Sequence, residues 1–437
     1  MLGADDYALE RVPARARYPW WTVAVQRFGQ LSDLTVFLLG ATLGAGMSFW
    51  GAFWSLTLGS VILELVAIFA GIAGVREGLS TSVLARWTGF GRFGSGLIGL
   101  VVATSLIGWF GIQNAIFAGG LHALVDGVPV WLWSIVTGLA VTALVVYGFR
   151  WMAWIAYVTV PAFLVLAGWS IVGELSEHSL GDLLGTAGFG EPMSVATGAT
   201  IVAGSYIAGA VLTPDMTRFN RSTGDVVKQT VVSITLGQYV LGLVGVILAY
   251  AIRSADVVTI FAATSGTVGI IILVSATVKI NDWNLYSSSL GFVNTLSTVF
   301  GVRVNRVVAT IAIGVLGTGL SALGILDRFA DFLTVLGVAM PPIAGIMVAE
   351  YFLVRRWRPA LDASREEDRL PETEPGWVPT TLVIWVGAAV LGYWTEQVQF
   401  GIPALNSLVV AGLAYLVVGK AGLVRGTGEL TVEKGAD

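Results

Sequence analysis

The chain has 437 residues, 55% of them hydrophobic and 12% charged, with a mean hydropathy of +0.80 and a net charge of -4. That balance excludes a soluble domain of this length and reads as a polytopic membrane protein, with the lipid bilayer as its first partner. The net charge is too small to point to a further partner, and neither nucleic acid nor a protein partner is implied. With no cysteine there is no disulfide framework or thiolate site, and His122 and His178, both in predicted loops, are too few for a metal centre or haem. No cofactor and no metal is expected.

In chain order, residues 1–19 form a short tail with Asp5, Asp6, Glu10, Arg11, Arg15 and Arg17, and without the apolar core or cleavage site of a removable signal peptide. Windows of about twenty apolar residues then place about twelve spans. They fall near 20–46, 48–73, 94–120, 129–147, 150–173, 194–213, 227–251, 265–296, 306–325, 332–354, 377–394 and 402–419. Residues 20–354 make a core of ten helices, 355–376 a loop, 377–419 two further helices and 420–437 a tail expected to be poorly ordered. Arginines crowd alternate loops, from Arg11, Arg15 and Arg17 through Arg218 and Arg221 to Arg355, Arg356 and Arg358. By the positive-inside rule both termini, the 355–376 loop and the tail are cytoplasmic, and the plasma (inner) membrane is the expected location.

Span 1 is interrupted by Gly29, Gln30, Ser32 and Asp33, and span 6 by Gly204, Ser205 and Gly209. Glycine and polar breaks five spans apart point to an inverted-repeat transporter whose broken helices offer backbone groups to substrate and ion. Glycine also serves plain helix packing in membranes, so each break taken alone has a second meaning. Arg27 falls inside span 1 and either snorkels to the interface or precedes the buried part. Pro341 and Pro342 predict a kink in span 10. Glu350 near its end reads as interfacial, and Glu64 in span 2 has no evident role.

Three groups of polar residues share the depth of those breaks. Trp109 and Gln113, four apart in span 3, put an aromatic plate and an amide on one helical face, which suits a flat hydrogen-bonding ring. In span 6, Gly204 and Ser205 offer freed backbone groups while Tyr206 stacks on the ring. Span 8 holds Lys279, then Asn281, Asp282 and Asn284, with Asn281 able to read ring N–H and C=O groups. An ammonium at membrane depth costs roughly 2.5–3.5 kcal/mol on insertion scales, so Lys279 implies a cavity and a partner, for which Asp33 is the candidate.

Short stretches carry a resemblance: ATLGAGMSF at 41–49, GLSTSVLARW at 78–87, GWFG at 108–111, GSYIAGAVLTPDMTRF at 204–219, NDWNLYSSSLGF at 281–292 and MPPIAGIMVAEYFLVRR at 340–356. Through spans 1 to 10 the chain resembles the nucleobase–cation symporters of the purine, cytosine and hydantoin type, the bacterial cytosine permeases most closely. The resemblance implies an all-α membrane protein of about twelve helices in the five-plus-five inverted-repeat, LeuT-like fold, with broken helices 1 and 6 and substrate between helices 1, 3, 6 and 8. It implies that Trp109 is a stacking tryptophan, Tyr206 the helix 6 aromatic, Ser205 its adjacent serine and Asn281 a ring-reading asparagine. Gln113 matches the glutamine of hydantoin-type members, whereas cytosine permeases place theirs where this chain has Leu106. Sodium-coupled members carry two hydroxyl residues where this chain has Lys279 and Ile280, beside the helix 1 break at Gly29 and Asp33.

The expectation is a secondary-active importer of a nucleobase or related small planar heterocycle, of cytosine, purine, hydantoin or allantoin type. It works by alternating access, without sodium, and with protons coupled through Lys279 and Asp33. The alternatives are an uncoupled facilitator and an amino-acid or amine transporter of the same fold. No motif of an intramembrane enzyme appears.

Overall fold

In hydrocarbon a backbone N–H or C=O has no water to bond, so apolar runs of this length fold as helices. The computed structural model describes residues 7, 10–31, 33–125, 127–147, 149–177 and 179–432, without the side chains of 147–160, 175 and 279. The first span is two helices, α1 (Trp20–Leu31) and α2 (Leu34–Gly46), bent by 58°. Asp33 caps α2, its carboxylate accepting from the N–H groups of Thr35 at 3.0 Å and Val36 at 3.2 Å and from the Thr35 hydroxyl. An acid at a helix N-terminus satisfies orphan donors and faces the positive end of the dipole.

After α3 (Phe49–Glu77) and the short α4 (Thr81–Ala85), a turn leads into α5 (Gly91–Leu124), then α6 (Val130–Tyr147), α7 (Phe149–Glu177) and α8 (Leu180–Leu184). The second half runs through α9 (Val195–Val211), α10 (Thr213–Thr217), α11 (Thr223–Ile252), α12 (Val257–Phe300), α13 (Arg306–Ala322), α14 (Phe329–Ala339) and α15 (Pro341–Val348). Within α12 the backbone turns at Gly266, with φ +58, so the long apolar stretch begins there. The chain ends with α16 (Arg358–Glu366), α17 (Pro379–Gln397) and α18 (Pro403–Lys420).

Among the described residues six helices are long and apolar enough to cross a membrane, and the bent pair α1–α2 makes a seventh. Large apolar side chains face outward along them, Val268 of α12 at 64% exposure and Val417 of α18 at 68%, as a lipid-facing surface does. The helix contacts are related across the two halves. Span 1 packs on span 7 (α2 on α11) as span 6 packs on span 2 (α9 on α3), span 3 lies along span 8 (α5 on α12), and span 4 along span 9 (α6 on α13). In these four pairs, replacing each span by the one five later returns the same set, as a repeated five-helix unit would.

Two sequence expectations are corrected. Span 6 is not broken at Gly204 to Gly209: α9 continues helical through all three residues and ends at Leu212, where Pro214 starts α10. Gly204 is there for close approach, since a Cβ would lie 1.9 Å from the Leu333 carbonyl oxygen of α14. The tail is not wholly loose either, because β2 (Thr427–Thr431) pairs antiparallel with β1 (Thr373–Trp377) in the 355–376 loop. The mini-sheet is pinned from below, as the buried Glu374 accepts from Arg86 at 3.1 Å and Arg92 at 3.3 Å.

Candidate functional site

One helical turn of α5 carries Trp109 and Gln113. Trp109 is 9% exposed and stands edge-on to Phe332 at 5.3 Å and Phe329 at 6.1 Å between ring centroids. Its ring is therefore fixed by α14. Gln113 is fully buried, and neither Oε1 nor Nε2 has a hydrogen-bond partner among the described residues. A buried amide left unpaired costs roughly 1–3 kcal/mol, which a ligand with complementary groups would recover. Buried amide atoms without partners also occur at Asn220, Gln229 and Gln238, so it is the combination with Trp109 that marks this turn.

Helix α12 meets α5 at the same level. The Asn281 side chain is fully buried, with its NH2 donating to the Phe110 carbonyl at 3.1 Å and its oxygen accepting from the Asn114 N–H at 3.2 Å. Both of its polar atoms are thus spent on the α5 backbone, tying the two helices together. Asn114 in turn donates to the Ser134 carbonyl at 2.7 Å and to the Ser321 hydroxyl at 3.0 Å, and accepts from Thr137 at 2.8 Å. Asn284 and Asp282 are buried on α12 as well. Lys279 lies on that helix, but its side chain is outside the described residues.

On α9, Ser205 donates to the Val202 carbonyl at 2.7 Å and accepts from Gln238 of α11 at 3.2 Å. Tyr206 lies against α1: its hydroxyl donates to Gln30 Oε1 at 2.9 Å, and the Arg27 guanidinium stands 5.5 Å from its ring centre. Gly29, on the same helix, has open space where a Cβ would be. Gly204 contributes contact with α14, so its backbone offers no freed group to a substrate.

Arg27 is the residue that sequence reasoning placed wrongly. It does not snorkel: it is 0% exposed and donates to the Thr213 hydroxyl at 2.6 Å and the Gly209 carbonyl at 3.4 Å. The signal was an arginine three residues before Gln30 on one helical face, which reads equally well as a span boundary. Glu350, near the end of span 10, is buried against the protein, accepting from the Trp357 N–H and the Tyr415 hydroxyl, both at 3.1 Å. Glu64 accepts from Thr235 of α11 at 2.7 Å, which joins span 2 to span 7.

The family of permeases for cytosine/purines, uracil, thiamine and allantoin matches residues 12–419. The chain belongs to that family. Among this permease's relatives, the cytosine permease of Escherichia coli (strain K12) is 29% identical over 382 residues, 87% of this chain and 86% of that one. The hydantoin permease of Microbacterium maritypicum is 24% identical over 78% of this chain and 73% of that one. In structure, the inward-facing conformation of Mhp1 matches with a TM-score of 0.78 at 20% identity, covering 94% of this chain and 93% of that one. The closed conformation of Mhp1, a nucleobase-cation-symport-1 family transporter with bromovinylhydantoin bound, matches with 0.71 at 20% identity, covering 95% and 96%. The permease is a multi-pass membrane transporter, not an enzyme, and its fold is that of Mhp1.

Proposed function

We propose that this permease takes up a small planar nitrogen heterocycle by alternating access, stacking it on Trp109 and reading its edge with Gln113. The observation that carries the reading is the Gln113 amide, fully buried one turn from the tryptophan with both polar atoms unpaired. A ring bearing adjacent N–H and C=O groups, as in cytosine, uracil, hydantoin or a purine, complements an amide in two hydrogen bonds. Bromovinylhydantoin bound to Mhp1 supports that substrate class. Tyr206 is the second aromatic of the site. Asn281 is better read as the bolt that sets α12 against α5, and Ser205 and Asn284 as groups lining the same level.

Coupling is assigned to Asp33 and Lys279 at the helix 1 break, with protons rather than sodium as the driving ion, the protein sitting in the plasma membrane with both termini cytoplasmic. One observation favours uncoupled facilitation instead: Asp33 is committed to capping α2 through three hydrogen bonds. Uptake into proteoliposomes separates the two. Proton coupling requires that uptake collapse with a protonophore and ignore replacement of sodium by choline, whereas facilitation ignores both. Sodium-dependent uptake contradicts both readings. Purified protein should gain melting temperature with at least one of cytosine, uracil, hydantoin, allantoin and adenine, because a ligand that binds only the folded state stabilises it. No shift with any of them removes the ring-site reading.

A further inference from the structure

Tyr206 is held from three sides. Its ring lies over Gly209, one turn along α9, where a Cβ would come within 2.4 Å of the ring carbon that bears the hydroxyl. The hydroxyl is fixed by Gln30 at 2.9 Å, and the Arg27 guanidinium faces the ring at 5.5 Å. Arg27 and Gln30 are three residues apart and so project from one side of α1. Arg27 also grips the end of α9 through the Gly209 carbonyl, where the helix dipole is negative and stabilises a cation, and bonds the Thr213 hydroxyl at the start of α10.

Arg27 is a poor contributor to folding. It is fully buried, it forms no ion pair among the described residues, and its Nε and Nη1 atoms have no partner. A buried charge so incompletely satisfied is often replaced by an apolar residue at no loss of stability. Its geometry is instead suited to holding an aromatic ring and a helix end at once.

We propose that Arg27, Gln30 and Gly209 are positioning residues that seat the Tyr206 ring for the incoming heterocycle, so that substrate affinity depends on α1 being docked against α9. The inference rests on Tyr206 as an aromatic of the ring site. A seated ring spares the binding step the cost of freezing a side chain, and it joins the first half of the broken helix 1 to the ligand through one aromatic.

The test is a double-mutant cycle on the full-length protein, with binding of cytosine, uracil, hydantoin and allantoin measured by titration calorimetry. Arg27→Met should weaken the tightest of them by about threefold to tenfold, the cost of immobilising one side chain on binding. Its ligand-free melting temperature should not fall. Arg27→Lys should restore most of the affinity, since an ammonium still faces the ring and Thr213. On a Tyr206→Ala background, Arg27→Met should have no further effect. Gly209→Ala, which keeps every polar group but lifts the ring, should behave the same way and serves if Arg27→Met does not fold. Equal weakening on both backgrounds, or none on either, overturns the seat. Wild-type affinity in Tyr206→Ala itself, or no binding by wild type, would instead overturn the assignment of Tyr206 to the site, and the seat with it.

Discussion

At the end of the bundle where the 355–376 loop folds back, the buried acid Glu77 has every oxygen engaged. Oε2 accepts from Arg11 at 2.9 Å, Oε1 from Tyr351 and Arg365 at 2.6 Å each, and the backbone carbonyl from Arg11 at 2.5 Å. Gln113, in the middle of α5 and just as buried, has neither amide atom engaged, and Arg27 has one of three nitrogens bonded. Buried polar atoms are saturated at Glu77 and left open at Gln113 and Arg27, while the Asn220 amide near the Glu77 end is open as well. Saturated networks lock elements together, here the chain before α1, the end of α3, α15's π-helical extension and α16. Open ones persist where something besides the protein completes them.

Breaking the Glu77 network should damage folding, and breaking the open groups should damage binding. The largest effect is expected for Glu77→Ala, which strands Arg11 beneath the loop and should cost about 3–5 kcal/mol of stability, read by thermal unfolding in detergent. Trp109→Ala should leave the ligand-free protein folded but lose about 1–3 kcal/mol of ring binding, as alanine does at other base-stacking aromatics. Gln113→Leu should hold or raise the ligand-free melting temperature, because it removes a buried group whose lack of a partner costs roughly 1 kcal/mol or more. The same variant should no longer separate a ring from its analogue lacking one carbonyl in a calorimetric comparison.

Smaller effects sharpen the picture at the loop. Cutting the chain after Gly426 removes β2 and should speed proteolysis within 355–376 while leaving ligand affinity unchanged. Burial pushes the Asp362 carboxyl up, but hydrogen bonds from Arg358 at 3.0 Å and Arg365 at 2.7 Å outweigh it and hold the group below its ordinary range. Its stabilisation is therefore complete above the ordinary carboxylate range and is lost as pH falls through the lowered value. Asp362→Asn should remove about 0.5 kcal/mol near neutral pH and flatten the acid limb of the melting curve, with salt weakening the difference.

Much of the architecture was legible because hydrophobic length is a strong signal: the apolar windows fall on the helices, and the break in helix 1 lies at its glycine and polar cluster, where Asp33 turns out to be a cap. The face shared by Trp109 and Gln113 follows from helical spacing alone. What was not legible depends on which partner a residue meets. Gly204 reads as a helix breaker, but its small size is used against the Leu333 carbonyl, while the interruption moves to Leu212, where Pro214 can sit in a first helical turn without losing a bond. Asn281 reads as a ring reader from its residue type, and the helix it faces, with the Phe110 carbonyl and Asn114 N–H in reach of its amide, is not visible in the local sequence. Arg27 reads as an interfacial cation because nothing local says that α9 ends beside it. The pairing of β1 with β2 spans about fifty residues and two helices, a separation at which no local pattern speaks.

Calorimetry of a nucleobase and hydantoin panel against wild type, Trp109→Ala and Gln113→Leu tests the open amide beside the tryptophan most directly. Wild type should bind at least one ring, Trp109→Ala should lose it while remaining folded, and Gln113→Leu should bind it more weakly without preference over its carbonyl-deleted analogue. If both variants bind every ligand as wild type does, the ring is held elsewhere and the open amide is an accident of packing.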